Sequence, residues 1–376
     1  MTREPVPPIL RLMGAENALR RRLADLVAFD TQNPSGNERP LALHLARELA
    51  ALGADNVEAF TAGRHHGVLA RFGAAPRLLL NSHIDTVPAN SGYTAPPHRL
   101  VERDGRLYGL GAADTKGSIA AILEALAQRR SSKAPIRDVA VLFSGDEEKG
   151  ATVARAFLAS PRGKGFERAI VCEPTSCRVG HRHRGIASIE AVATSPGGHY
   201  SRADDLPSPM VVLARAALAL DELGHRHRAL GTEGFRGLCV NVASLDGGVA
   251  FNVVPARAKL TVSVRPPPGS NMRAILGEME SEAKRAAAPE PIDWAVVHEN
   301  PPFATRDLKG FEPLLGERTR SPVDLGFWTE AALYAGAGID AVVFGPGDIA
   351  QAHGADEFVE VSQLETARDA FIALLS

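Results

Sequence analysis

Cysteine is scarce: only Cys172, Cys177 and Cys239 occur in 376 residues, and no two of them form a CxxC pair. That scarcity excludes a disulfide framework and a thiolate zinc site, and the three read as buried structural thiols. No apolar run approaches the roughly 20 residues that a membrane-spanning helix needs. The opening MTREPVPPIL has no signal-peptide core, so a cytoplasmic protein without a membrane partner is expected. A strong charge of one sign is missing too. The formal net charge of -2 offers no general attraction to nucleic acid or to an anionic membrane. Low-complexity segments and short-period repeats are absent. Partners must therefore be sought in a site.

What is present is an ordinary globular composition, 45% hydrophobic and 23% charged, in a chain longer than one compact core usually holds. Apolar residues recur at three- and four-residue spacing over Ala15 to Phe29 and Arg39 to Leu52, which predicts two amphipathic helices. Apolar runs at Arg77 to Leu80, Val139 to Phe143, Ala169 to Cys172 and Ala341 to Phe344 predict buried strands. The Ala- and Leu-rich Ser118 to Arg129 predicts a helix among them. This alternation is that of an α/β sheet with helices on both faces.

Between about Arg184 and Asn300 the texture changes. Strand-like Ile186 to Ala193, a helix over Ser208 to Leu223 and strand-like Leu238 to Ser244 are followed by a second round: Ala256 to Val264, Met272 to Ala288 and Ile292 to Val297. Two such units predict a small α+β, ferredoxin-like sandwich. The buried-strand pattern resumes near Ala341, so the expected organisation is a first domain in two parts, 1-180 and 301-376, around an inserted domain at 181-300.

Polar residues placed on this map suggest chemistry. In RLLLNSHIDTVP, His83 and Asp85 follow an apolar strand at i and i+2, which in extended chain puts both side chains on one face. A metal ligand and its orienting carboxylate would suit that placement. In VLFSGDEEKG, Glu147 and Glu148 follow the next strand behind Asp146, a concentration of negative charge that a cation would balance. Glu173 follows a third strand, His353 lies in a Gly-rich loop after a fourth, and Asp114 precedes a helix start. Singly, Asp114 is as readily a helix cap, Glu148 or Glu173 a solvated loop acid, and His353 a surface histidine. Jointly, five positions at strand ends or in loops carry only Asp, Glu or His. They match the nitrogen and oxygen donor set of a hydrolytic zinc, cobalt or manganese centre. Open α/β sheets bind ligands beyond the carboxyl ends of their strands, where these residues could converge.

The same residues carry a family resemblance. HIDTVP, GLGAADTKG, GDEEKG and CEPT occur in the order of the HxDxVP, GxGxxDxKG, DEExG and acid-Pro-Thr segments of the M20 metallopeptidases, and FGPGDIAQAHGADEFV closes the series. The chain thus resembles this family of co-catalytic zinc hydrolases over nearly its whole length. GFWTEAALY and GPGDIAQAH are most similar to the acetylornithine and acetylcitrulline deacetylase branch.

The resemblance implies a zinc-peptidase-like catalytic domain, with a mixed sheet flanked by helices, and an inserted lid and dimerisation domain. It implies that Asp114 bridges two divalent ions, zinc by preference or cobalt, with Glu148 and His353 on one and His83 and Glu173 on the other. Asp85 would orient His83, and Glu147 would act as general base. Three carboxylates against two divalent ions leave a charge of +1, which one hydroxide balances.

In the inserted domain, His199 of GGHYS resembles a family histidine that stabilises the tetrahedral oxyanion, often from the partner subunit. Asn252 and Arg265 match positions that meet substrate, and an Arg fork suits an α-carboxylate. Without the resemblance these are a loop histidine, a turn amide and a surface cation. Ser263 stands where relatives often carry Asp, which bears on the support of Arg265. Arg184 reads either as a substrate contact or as a solvated hinge, and Glu330 as a reader of a cationic or ureido side chain or as a helix-start acid. His65, His66, His225 and His227 read as solvated.

The implied reaction is removal of the acetyl group from N-acetyl-L-ornithine or N-acetyl-L-citrulline, releasing acetate, in arginine biosynthesis by a homodimer. An aminoacylase, an acetyl-lysine deacetylase or a dipeptidase on the same centre is the nearest alternative. Outside enzymes, the alternative is a metal-stabilised binding protein.

Overall fold

A computed structural model describes residues 15-35 and 37-376; the opening decapeptide, with its missing signal-peptide core, lies outside them. Contacts divide the chain into two compact units. One runs through Val179 and takes in Asp307–Pro322 and Gly338–Ser376; the other comprises Gly180–Arg306 and Val323–Ala337.

The first unit is built on six strands in the order Asn56–Ala62, His65–Phe72, Val139–Ser144, Leu78–His83, Arg168–Val171, Asp340–Val343. The first two form an antiparallel hairpin that joins Val139–Ser144 antiparallel, and the remaining neighbours are parallel. Every residue of Leu78–His83, Val139–Ser144 and Asp340–Val343 is buried, so these strands are apolar runs without alternation. The helices Ala15–Val27, Arg39–Ala51, Gly117–Ser131 and Val361–Leu374 bury Leu23, Leu45, Ile122 and Phe371 in one core with Leu80, Val141 and Ile170. The result is a mixed sheet flanked by helices.

The strand predicted to end at Leu80 continues to His83, because its last polar residues find partners inside the protein. Asn81 Nδ2 donates to Ser144 Oγ at 3.0 Å, and Ser82 Oγ lies 2.8 Å from Thr115 Oγ1. Among the described residues no helix is long and apolar enough to cross a membrane. Of the three thiols expected to be buried, only Cys172 is; Cys177 is half-buried, and Cys239 is exposed at the start of an edge strand.

In the second unit, an antiparallel sheet has the order Cys239–Gly247, Arg257–Arg265, Ile186–Thr194, Asp293–Asn300. Strict alternation along the two central strands buries Ala187, Ile189 and Ala191 with Leu260, Val262 and Val264. Helices Pro209–Arg226 and Met272–Ala287 contribute Leu213, Leu220, Leu276 and Met279 to that core. This is a β-α-β-β-α-β arrangement. Three further short strands belong to the unit: Gly180–His183 pairs antiparallel with Phe303–Ala304 and parallel with Val323–Leu325. Through the latter pairing Val323–Ala337 groups with the second unit, although it follows residue 300.

Candidate metal centre

Four parallel strands of the first unit end on one edge of their sheet, and side chains able to hold a cation gather there. His83 is the last residue of its strand, Gly145 to Glu148 follow Ser144, and Glu173 follows Val171 by two. Asp114 comes from the turn Ala112–Lys116, and His353 from the loop after Asp340–Val343. Asp146 at φ 68° and His353 at φ 61° sit in the left-handed region that non-glycine residues rarely adopt.

Two triads result, and they share Asp114. His83, Asp114 and Glu173 form one; Asp114, Glu148 and His353 form the other, with the donor atoms of each within 4.8 Å of one another. His83 Nε2 lies 2.8 Å from Asp114 Oδ1 and 4.0 Å from Glu173 Oε2. His353 Nε2 lies 3.3 Å from Asp114 Oδ2 and 3.2 Å from Glu148 Oε1. Asp114 therefore turns one oxygen to each triad. The His83 side chain is 1% exposed and that of His353 50%, so the two triads differ in shelter at their histidines, while their carboxylates are all buried.

The electrostatics follow from packing acids and imidazoles within hydrogen-bond distance of one another. Burial alone would lower His83, but the hydrogen bond to Asp114 and the nearby carboxylates of Asp85 and Glu173 carry it well above its ordinary value. Hydrogen bonds to Asp114 and Glu148 raise His353 to about 10. Asp114 is driven down: burial opposes ionisation, but its bonds to His353 and His83 outweigh it. Glu148 is driven up by burial and by the charge of Asp114.

The residues fit a pair of divalent ions. All donors are imidazole nitrogen or carboxylate oxygen, which suits zinc or cobalt. Atoms bound at roughly 2 Å to one ion must lie within about 4 Å of each other, close to the spacing in each triad. Glu147 stands outside both triads, half-buried beside Glu148.

Asp85 is fully buried and has two jobs. Its backbone carbonyl, at 2.9 Å, meets His83 Nδ1, while the carboxylate Oδ1 stays at 3.6 Å. The carboxylate accepts instead from the backbone N–H groups of Glu147 at 3.1 Å and Glu148 at 3.3 Å, and from Asn33 Nδ2 at 3.0 Å. Asn33, unmarked in the sequence, also donates to Asp146 Oδ1 at 2.8 Å. Beyond it, His65 bridges Glu38 Oε1 at 2.7 Å and Asp146 Oδ1 at 3.3 Å, with a side chain only 13% exposed. The expectation that His65 is solvated is thus corrected: two acids bracket it.

Further residues escaped the sequence reading. Glu357 accepts three backbone N–H bonds from the Asp114 turn, and burial with the nearby charge of Asp114 pushes it up to about 7. Lys116 is buried with Nζ 2.9 Å from the Phe29 carbonyl, and burial lowers it to about 8. Gly345 packs so closely that a Cβ there would lie 2.7 Å from the Glu173 carbonyl and from Ser118 Oγ.

The remaining site candidates lie in the second unit. His199 and Asn252 are brought together on a two-stranded ribbon in which His199 pairs with Val253 and the Asn252 carbonyl accepts from the Tyr200 N–H at 3.1 Å. His199 is exposed, with Nδ1 2.8 Å from Ser201 Oγ. Arg265 Nη2 donates to the Gly326 carbonyl at 3.1 Å, and its buried Nε has no partner among the described residues. The Arg184 side chain is engaged, not free in solvent: its guanidinium donates to the carbonyls of Gly237, Arg265 and Arg236 and lies over the Phe235 ring. Glu330 is buried at the start of the helix Ala331–Gly336 without capping it.

Residues 79-376 match the model of peptidase family M20/M25/M40. The chain is 33% identical to the N-acetyl-L-citrulline deacetylase of Xanthomonas campestris pv. campestris, over 91% of its own length and 93% of the other's. It is also 33% identical to the acetylornithine deacetylase of Myxococcus xanthus, over 92% and 94%. Its fold is similar to that of the Bacillus subtilis YXEP protein, a dinuclear metal-binding peptidase from the M20 family. The TM-score is 0.72 and the identity 16%, over 96% of this chain and 97% of that one.

Proposed function

Because the chain belongs to peptidase family M20/M25/M40 and is a hydrolase of amide bonds, we propose that it removes the acetyl group from an N-acetylated amino acid, N-acetyl-L-citrulline or N-acetyl-L-ornithine, in arginine biosynthesis. The observation that carries this reading is the pair of triads joined at Asp114, with Glu147 held beside them by Asp85. His83, Glu173, Asp114, Glu148 and His353 would hold two divalent ions, zinc first and cobalt second. Bound there, the ions would polarise the acyl carbonyl and acidify water.

The protein's own groups then move the proton. Glu147 takes it from the attacking water as that oxygen adds to the acyl carbon. It returns the proton to the α-nitrogen as the C–N bond breaks, leaving acetate and a free amino acid. His199 is proposed to donate to the oxyanion, Arg265 to pair with the α-carboxylate and Asn252 to fix the substrate's orientation.

We place the enzyme in the cytoplasm as a homodimer formed through the second unit. Two features there support the pairing: the edge strand Cys239–Gly247, and exposed Val211 and Leu218 on its long helix. The deciding experiment is acetate release from N-acetylated citrulline, ornithine, lysine, methionine and glutamate by the metal-reconstituted protein. Preference for citrulline or ornithine supports the proposal. Preference for the others moves the enzyme to the aminoacylases, and no hydrolysis of any of them removes the deacetylase reading.

A further inference from the structure

The strand Arg106–Tyr108 runs antiparallel to Phe358–Glu360, with Tyr108 opposite Phe358 and Leu107 opposite Val359. One residue beyond this pairing, the Gly109 N–H donates to the Glu357 carbonyl at 2.9 Å. The pairing delivers the Glu357 side chain, 2% exposed, under the turn that carries Asp114. There its Oε2 accepts from the Gly111 N–H at 2.9 Å, and its Oε1 from the N–H groups of Ala113 at 2.8 Å and Asp114 at 3.0 Å.

Successive backbone N–H groups aimed at one anion form a nest, and the shape of this nest depends on Gly111. Gly111 sits at φ 78°, and a Cβ there would meet Thr86 Cγ2 at 2.8 Å. In the nest the acceptor is a side-chain carboxyl of the protein itself. Three such bonds, at 2.8–3.0 Å, fix the turn from which Asp114 reaches both triads. Glu357 also follows His353 by four residues. One carboxylate thereby ties the loop of His353 to the turn of the shared ligand.

From this we infer that Glu357 is a positioning residue for the metal pair: it sets the orientation in which Asp114 can offer one oxygen to each ion. The inference rests on the two-metal reading of the site. A carboxylate buried only for stability would lower the melting temperature when removed and leave metal affinity alone. A positioning role instead changes the affinity and the ligand field. Neutral glutamine keeps one acceptor oxygen but sets an NH2 against an N–H donor; alanine removes all three bonds.

The test titrates metal-free wild type, Glu357→Gln and Glu357→Ala with cobalt(II), followed by calorimetry and by the visible absorption of the bound ion. Circular dichroism checks the fold, and Glu357→Gln serves if the alanine variant does not fold. At least one of the two cobalt affinities should fall about 10–100-fold, with an altered absorption band, as happens when a group behind a metal ligand is removed. Two ions bound within threefold of wild-type affinity, with an unchanged spectrum, overturn the positioning role and leave the metal centre standing. Failure of the wild type to bind two ions overturns both.

Discussion

The carboxylate of Asp85 accepts the backbone N–H of Glu147 at 3.1 Å, although 62 residues separate them in the chain. One buried acid thus fixes the loop that presents both the proposed base and the ligand Glu148. Replacing Asp85 by Ala should lower kcat/KM about 10–100-fold and weaken metal binding, while Asp85→Asn, which keeps one acceptor oxygen, should lose less. Steady-state kinetics with metal analysis checks this; an alanine variant within twofold of wild type removes the role.

Glu147 stands outside both triads, so Glu147→Gln should leave metal content unchanged. Turnover should nevertheless fall about a hundredfold or more, the usual contribution of a positioned base. Elemental analysis and a turnover assay on the same sample decide it. Near-normal turnover excludes the assignment.

In the metal-free protein the His353 ring, held up at about 10, carries its proton at pH 7. An ion needs that nitrogen neutral, so metal uptake must displace at least one proton. Apparent affinity should therefore rise with pH below 10, up to about tenfold per unit for each proton displaced. Calorimetric titration at pH 7 in buffers of different ionisation enthalpy should give different heats; identical heats would count against it.

Lys116 titrates near 8 in the folded protein against 10.5 for an ordinary lysine. Between those values the unfolded chain binds more protons, so this group's contribution to stability rises with pH across that window. Below about pH 8 the cost of burying its charge is fully present, on the order of 3 kcal/mol. The stability difference between wild type and Lys116→Met, measured by denaturant unfolding from pH 7 to 10.5, should move in favour of wild type as pH rises. A pH-independent difference contradicts this.

At Gly345 a methyl group would meet the Glu173 carbonyl and Ser118 at 2.7 Å. Gly345→Ala should cost about 1–3 kcal/mol through overpacking and weaken the ion beside Glu173. Thermal unfolding with and without metal measures both effects. An unchanged melting temperature shows that the loop yields.

Much of this was legible because the parallel strands are fully buried. Apolar runs without alternation marked Val139–Ser144 and Asp340–Val343, and acids or imidazoles directly after such runs marked His83, Glu148 and Glu173. Asn33, Glu38, His65 and Glu357 were not legible, since each sits in a segment with no periodic pattern. Their partners are also remote: Asn33 meets Asp146 across 113 residues, and Glu357 meets Asp114 across 243. A histidine at the start of a strand, between polar neighbours, looks solvated until the fold sets Glu38 and Asp146 on either side of it. The membership of Val323–Ala337 in the second unit was hidden for a similar reason, because the parallel pairing of Val323–Leu325 leaves no trace in a three-residue strand.

The unequal shelter of the two imidazoles has a kinetic corollary. Were ions held at both triads, a chelator would reach the one beside the exposed His353 more readily than the one beside His83, whose companions are all buried. Inactivation by chelation should then proceed in a fast and a slow phase, and a protein carrying a single ion should hold it at the sheltered position.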